Sequence, residues 1–406
     1  MNRSNARAGP ATFSLLAKVL FALHFFNLSP AQSVRCETDN AIPILSGTPH
    51  PYYPLQPQIR SDKALPVVVH VVWNRQEENI PDAEIKRQID RLNLEFNNSY
   101  TRRKSVPAEF RDKTGNPEIR FCLALFDPSG QTHTGILRTQ TPTAGIGSVR
   151  DGQGRYLIHY DQAGGSSAWD TQRYINIWIG KMDGAYGRST IGGTAFSPAE
   201  DGIVIDPGRW GTDFSRNLLG RTLVHEMGHY LGLKHTWGTT IGECTEDDGI
   251  SDTPVQDGPY FGCPEYPQRS CGNSNMFMNF MDFTDDYCLD LFTAEQVKRM
   301  HSVLAAFRPG LMNSAAACPT GTSPVSLSGI QVQYRTSKGL LVIQAKEVPD
   351  SPIDLLISNS LGQYVYRYRV EIIDHAEIPA KNWPPGIYFI NLRYNKERRT
   401  IKFFKP

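Results

Sequence analysis

The stretch His225-Glu226-Met227-Gly228-His229-Tyr230-Leu231-Gly232-Leu233-Lys234-His235 decides how this chain is read. On an α-helix, residues four apart lie one turn apart on the same face, so His225 and His229 can aim their imidazoles at a common point. Glu226 falls beside them and can reach a water near that point without being a ligand. Gly232 permits the left-handed backbone that ends a helix, so the chain can fold back and bring His235 in from a third side. Three neutral nitrogens leave one tetrahedral position open, the pattern of a catalytic rather than a structural zinc site. Zinc suits three imidazoles better than magnesium or calcium does. At such a site the metal acidifies water, and Glu226 can take its proton as the water attacks a carbonyl. The same carboxyl can then hand the proton to a departing amine.

The sequence on either side supplies a frame for that helix. Leu218, Leu219, Thr222 and Leu223 lead into the motif and predict a helix from roughly Ser215 to Leu231. Upstream, "ALPVVVHVVW" (Ala64 to Trp73) is a β-branched run expected of a strand buried on both faces. Pro81 and Asp82 open a helix in which Ile85, Ile89, Leu92 and Phe96 recur at helical spacing. "EIRFCLALF" and "RYINIWIGKM" read as further strands, so an α/β sheet with helices against it is expected. Downstream, residues 236–275 are rich in Gly, Pro and Cys, a poor recipe for regular structure. "TAEQVKRMHSVLAAF" predicts a helix capped by Thr293 and Gln296 and closed by Pro309 and Gly310. "NSAAACPTGTSP" reads as a linker. From about Val325, short alternating runs such as "GLLVIQAK", "IDLLISNS" and "GIYFINLRY" predict a small all-β sandwich.

Composition narrows the class. The 406 residues suit two or three folded units, and 40% hydrophobic with 20% charged residues allows a sizeable core. A formal net charge of +1 gives no electrostatic reason to expect nucleic acid or an anionic membrane as partner. Arg3, Arg7 and Lys18 precede a short apolar run, Val19 to Phe26, and small residues follow at Ser29, Ala31 and Ser33. That order predicts a secretory signal, and no later stretch is long and apolar enough for a transmembrane helix. Outside the cytoplasm thiols tend to pair, so seven cysteines leave at least one over. Cys122, inside an apolar strand, reads as a buried hydrophobe, and Cys318 has no assignable partner. The crowded set Cys244, Cys263, Cys271 and Cys288 allows three connectivities by spacing alone.

The long histidine motif resembles that of the metzincins. "NFMDFTDDYCLDLFTAEQVKRMH" (Asn279 to His301) narrows the resemblance to the pappalysin branch, over about residues 64–310. It implies an α/β (α+β) fold: a two-lobed, metzincin-like catalytic domain with a mixed sheet and a long zinc-binding helix at the floor of its cleft. By the same resemblance, Met281 is the methionine beneath the zinc ligands. A tyrosine usual two residues further on is replaced by Phe283, which removes a hydroxyl that could assist the tetrahedral intermediate. Cys244 is implied to pair with Cys271, and Cys263 with Cys288. The segment "ECTEDDGISDTP" gathers Glu243, Glu246, Asp247, Asp248, Asp252 and Thr253, hard donors that suit Ca2+.

Other implications concern latency, specificity and export. Cys36, in "VRCETDN", matches a propeptide cysteine that can fill the open metal position and silence a zymogen. Activation then needs a cut within residues 50–63, near Arg60. Family members that prefer arginine after the scissile bond carry an acidic residue where this chain has Tyr287, with Asp285 and Asp286 just upstream. "TIGGTAF" (Thr190 to Phe196) resembles the upper rim strand, an edge to which an extended substrate can add. The last eighty residues resemble the sorting domain of the type IX secretion pathway of Bacteroidetes, so the secretion machinery is an expected partner beside protein or peptide substrates.

The expected layout is a signal at 1–33, a propeptide at 34–60, a catalytic domain at 61–312, a linker at 313–324 and a sorting sandwich at 325–406. The expected activity is that of a secreted zinc metalloendopeptidase. A pseudoenzyme or binding protein on the same fold, or a zinc hydrolase of non-peptide amides, is the competing reading.

Overall fold

Five valines between Leu65 and Trp73 leave that segment little choice but a strand, because side chains branched at Cβ fit a pleated surface better than a helix. Val67, Val68, Val69, Val71 and Val72 are all buried, so both faces of the strand are covered. The structure is a computed structural model. It describes residues 34–38, 64–97, 106–192, 197–213, 218–314, 318, 327–336, 339–345, 353–370, 375–394 and 397–406. The expected signal, the expected activation segment and most of the linker lie outside these.

The strands of the larger sheet, in chain order, are β1 (Val34–Cys36), β2 (Leu65–Trp73), β3 (Phe121–Leu123), β4 (Ile136–Gln140), β5 (Ile175–Ile179), β6 (Ala185–Ser189) and β7 (Ile203–Ile205). β2 pairs in parallel with β5 on one side, and with β3 and then β4 on the other. β7 continues the parallel set beyond β5. β6 runs antiparallel to β7, and β1 lies parallel along the outer edge of β6. The sheet is therefore mixed, with its reversed pairing near the rim.

Period-two alternation sends Val67, Val69 and Val71 of β2, with Ile175, Ile177 and Ile179 of β5, to one face. There they meet three helices: α1 (Asp82–Asn97), α2 (Arg221–Tyr230) and α3 (Ala294–Phe307). α1 offers Ile85, Ile89, Leu92 and Phe96; α2 offers Leu223, Val224 and Met227; α3 offers Val297, Met300 and Leu304. Each such aliphatic side chain contributes roughly 1.5–3 kcal/mol on full burial. The opposite face is covered by loops, with Trp178, Ile158, Tyr156 and Val204 in one cluster.

Two boundaries depart from expectation. α2 starts at Arg221 rather than near Ser215, because Gly220 before it takes the left-handed conformation at φ +73°. A β-carbon there would sit 2.5 Å from Gln88 Oε1, so glycine is needed for the contact with α1 as well. Leu218 and Leu219 pair with Thr212 and Asp213 instead of extending the helix. α3 has the expected Thr293–Gln296 capping box, but Pro309 opens a further short turn, Pro309–Asn313, instead of closing the helix outright.

Between α2 and α3 little regular structure forms. Disulfides Cys244–Cys271 and Cys263–Cys288 cross-link that region, the same two pairs the resemblance implies. A third bond corrects the reading of the other two cysteines: Cys122 of β3 is bonded to Cys318. Cys122 sits only partly buried at the sheet edge, where a returning chain can reach it.

The C-terminal part has a separate core. One sheet orders Ile330–Arg335, Leu340–Ala345 and His375–Pro379; the other orders Tyr364–Val370, Ile353–Asn359, Gly386–Tyr394 and Glu397–Lys405. All neighbouring pairs are antiparallel. Leu341, Ile343, Leu355, Ile357, Ile390 and Leu392 fill the space they enclose.

Candidate metal centre

α2 is buried along its whole length. His225 and His229 leave it on one face, and the chain turns at Gly232 with φ +89°, returning His235 to the same point. Leu233 N donates to Gly228 O and so clamps the reversal. The three Nε2 atoms form a near-equilateral triangle: 3.2 Å from His225 to His229, 3.2 Å from His225 to His235, and 3.1 Å from His229 to His235.

The outer nitrogens decide what that triangle is. His225 Nδ1 lies 2.7 Å from Phe280 O, and His229 Nδ1 lies 2.8 Å from Leu233 O. A carbonyl only accepts, so Nδ1 carries the proton in both rings and the Nε2 lone pairs face inward. Burial and the neighbouring imidazoles hold His225 well below the usual histidine range, so added protons do not resolve the repulsion. A cation does. Ligand bonds of about 2.0–2.1 Å at a tetrahedral angle put nitrogens about 3.3 Å apart, close to the separations observed.

The floor and wall of the site are built from apolar residues. Met281 is fully buried under α2, and a β-carbon at Gly228 would lie 2.5 Å from its sulfur. Asn279 Oδ1 accepts from Met281 N and holds that turn. Phe283 sits against His235 at 4.8 Å between ring centroids, and Trp237 stacks on His235 at 4.5 Å. No hydroxyl is present at position 283.

Glu226 lies beside the triangle, fully buried. Oε1 has no hydrogen-bond partner among the described residues, while Oε2 is 3.2 Å from Thr38 Oγ1 and 3.5 Å from Cys36 Sγ. Burial pushes its carboxyl up to about 8, against the pull of the Cys36 and Thr38 contacts. Without a nearby cation such a group stays protonated.

β1 covers the centre. Cys36 Sγ and the three imidazoles have ligand atoms all within 4.8 Å of one another, the one such group of metal-binding side chains among the described residues. The thiol stands outside the three disulfides and is buried. On one side of it, Arg35 Nη2 donates to Asp286 Oδ1 at 2.9 Å, both side chains being buried, and Arg35 Nη1 donates to Thr284 O. On the other, Glu37 pairs with Arg188 at 3.1 Å.

Several residues expected at the site from sequence fall elsewhere. Tyr287 points outward, 46% exposed, whereas Asp286 is buried and takes Arg35. Among the described residues the edge beside the metal centre is β6, which ends at Ser189 just before the expected rim segment Thr190–Phe196. Gly192 N donates to His229 O, which ties that segment to the end of α2, and residues 193–196 lie outside the description.

The acidic set does not converge on a point. Asp252 caps α3 by accepting from Thr293 Oγ1 and Glu295 N, and Asp247 accepts from Gly249 N. Glu243 and Glu246 hold threonine hydroxyls on the surface. Only Asp248 is buried: Oδ1 accepts from Ile250 N and Thr253 Oγ1, and Oδ2 has no partner among the described residues. Burial pushes its carboxyl up to about 8.

Thr38 and Gly187 join the site although no sequence motif assigns them a role there, whereas Arg35 and Asp286 belong to motifs already noted in the sequence. The basic residue next to Cys36 and the acidic pair before Cys288 are the signals the sequence offers for the latter two.

Comparison with known proteins fits this geometry. Residues 159–305 match the peptidase family described as pregnancy-associated plasma protein-A, and residues 337–405 match the secretion system C-terminal sorting domain. An extracellular metalloprotease of Arthroderma benhamiae is 27% identical over 254 residues, 60% of this chain and 78% of the relative. Among solved structures, a promirolysin mutant from Tannerella forsythia is 37% identical with a TM-score of 0.58, over 64% of this chain and 85% of its own. Mature mirolysin from the same organism, in complex with a cleaved peptide, is 38% identical with a TM-score of 0.56, over 63% of this chain and 95% of its own. No helix of the described residues is long and apolar enough to cross a membrane. The chain belongs to the pappalysin family of metallopeptidases and is a secreted or cell-surface metalloprotease with a C-terminal secretion sorting domain.

Proposed function

We propose that the chain is a zinc-dependent endopeptidase made as a latent precursor, with His225, His229 and His235 as metal ligands and Glu226 as general base and acid. The triangle of inward-facing Nε2 lone pairs carries this reading. Zinc bound there supplies Lewis acidity, lowering the pKa of water and polarising a carbonyl. The rest is the work of the chain. Glu226, desolvated beneath β6, takes the proton of the attacking water and returns it to the leaving amine. The edge of β6, once β1 has left, holds an extended substrate as an added strand. Trp237 and Phe283 keep the imidazoles packed and dry.

Latency follows from Cys36. A thiolate at the open metal position would exclude water, and its neighbours Arg35 and Glu37 fasten the segment on both sides. Asp286 then accepts from an arginine after the scissile bond, which takes the place that Arg35 holds as donor in the precursor. Arg35 precedes the thiol, so the precursor lies in the cleft in the reverse sense to such a substrate and offers no bond in productive register.

Two finer assignments complete the reading. Calcium, the second expected metal, would take Asp248 as its buried ligand, whose Oδ2 has no partner among the described residues, with Asp252 kept for capping. The domain limits stay at 1–33, 34–60, 61–312, 313–324 and 325–406, supported by separate cores before residue 312 and after residue 326.

The test is cleavage of a peptide library by activated protein, with and without a chelator, beside Glu226→Ala. Hydrolysis lost in both controls supports the reading. Hydrolysis surviving in Glu226→Ala refutes the assigned base and acid, and hydrolysis surviving the chelator refutes the metal dependence.

A further inference from the structure

Arg188 is the only charged residue of the rim strand β6, and it is buried. Gly187 lies over Glu226, so strand alternation turns Arg188 to the opposite face. There its guanidinium carbon lies 3.3 Å from the centroid of the Tyr156 ring, and Nη2 donates to Gly147 O. Arg150 lies against the same ring at 3.7 Å. Two guanidinium groups thus share one small region. Among the described residues, Glu37 is the one carboxylate paired with Arg188, at 3.1 Å.

Glu37 belongs to the segment that covers the metal centre. It follows Cys36, on the side away from Arg35 and the Asp286 pocket. Departure of that segment takes away the carboxylate paired with Arg188 and opens that position to another anion. The vacated position lies beside the edge to which a substrate adds. Arg35 marks the side after the scissile bond, so Glu37 marks the side before it.

We propose that in the mature enzyme Arg188 forms an acid-selective subsite, taking an aspartate or glutamate side chain within the two residues that precede the scissile bond. The inference rests on the reading of the metal centre as a peptidase site vacated by residues 34–38. Tyr156 and Arg150 complete the pocket by holding the Arg188 guanidinium flat and adding positive charge. Lysine at the same substrate position meets two like charges and is rejected.

The experiment uses the activated full chain and fluorogenic peptides of one scaffold, with arginine fixed after the scissile bond. Glu, Gln or Lys is placed at the first or the second position before it, and kcat/KM ratios are compared within each enzyme. In the wild type the Glu:Lys ratio is expected to exceed about 10 at one of the two positions, as for a desolvated charge pair. In Arg188→Gln it should fall to within about 2-fold of unity, since the charge is gone but the scaffold contacts remain. Should the variant fail to fold, the wild-type ratio decides alone. Cleavage without preference for Glu over Lys overturns the subsite and leaves the peptidase reading intact. A Glu preference that persists in Arg188→Gln also overturns it. No cleavage of any peptide overturns both.

Discussion

Gly187 and Glu226 are in contact across the rim: a β-carbon added at Gly187 would lie 2.7 Å from Glu226 Oε1 and 2.8 Å from its Cγ. The missing side chain on β6 is what gives the glutamate its place beside the imidazoles. Gly187→Ala is therefore expected to push Glu226 off position while leaving the ligands alone. Displacing a catalytic group by about 1 Å can cost about 100-fold in rate, so kcat should fall by that order with metal content unchanged. Wild-type kcat in the alanine variant would show that the contact does not set the geometry.

Cys36 provides a second prediction, on the precursor. Serine at that position keeps the shape but gives up the thiolate, the better ligand for zinc. Precursor carrying Cys36→Ser should hydrolyse a fluorogenic peptide at least about 10-fold faster than wild-type precursor of equal purity, a difference of about 1.4 kcal/mol in blocking strength. Equal silence of the two would assign latency to the remaining contacts of the segment.

Asp286 accepts from Arg35 Nη2, Leu219 N and Arg221 N, so its carboxylate is already oriented before any substrate arrives. Asp286→Asn keeps the shape and removes the charge. For peptides with arginine after the scissile bond, kcat/KM should drop about 100-fold, the scale of losing one partner of a buried pair. Peptides with an uncharged residue there should lose far less. A uniform drop across both sets would mean that Asp286 only shapes the loop.

Acid stability depends on a histidine away from the metal. His70 is fully buried between Ser166 and Asn176, and burial, opposed in part by its Asn176 hydrogen bond, pushes its pKa down to about 4. Unfolded, it titrates near 6.5, so between pH 6.5 and 4 the unfolded chain binds more protons than the folded one. Stability is then complete above pH 6.5 and falls as pH drops through that window, by roughly 2–3 kcal/mol at about pH 4.5. Thermal melts of Glu226→Ala, which does not digest itself, should show the decline, and adding His70→Gln should make it shallower, buried His159 keeping a share of the same sign. An unchanged slope in the double variant would clear His70.

Much of the centre is legible in the sequence because helical period and a turn glycine constrain where His225, His229 and His235 can go. The strands are legible for a similar local reason: β2 is a run of β-branched residues that nothing but a buried strand accommodates. What escapes is long-range. The bond between Cys122 and Cys318 spans 196 residues, and neither local pattern nor spacing encodes it. The start of α2 is hidden because Leu218 and Leu219 continue the apolar period, while the left-handed turn at Gly220 interrupts the backbone. The family resemblance points to Tyr287, with Asp286 only as its upstream neighbour, because one residue of offset in a short 3-10 turn decides which side chain points inward. The acidic loop looks like one cluster in sequence, yet Asp252 is drawn away to cap α3.

Whether the three imidazoles hold a working metal is settled by titrating the activated protein. After chelation and dialysis, zinc is added back while bound metal and peptide hydrolysis are followed together. Hydrolysis should return in proportion to bound zinc and level off at about one equivalent per chain, as a single site with one open position requires. His235→Ala should show neither tight binding nor recovery. Full hydrolysis by metal-free protein, or no binding near stoichiometry, would be incompatible with a catalytic zinc held by His225, His229 and His235.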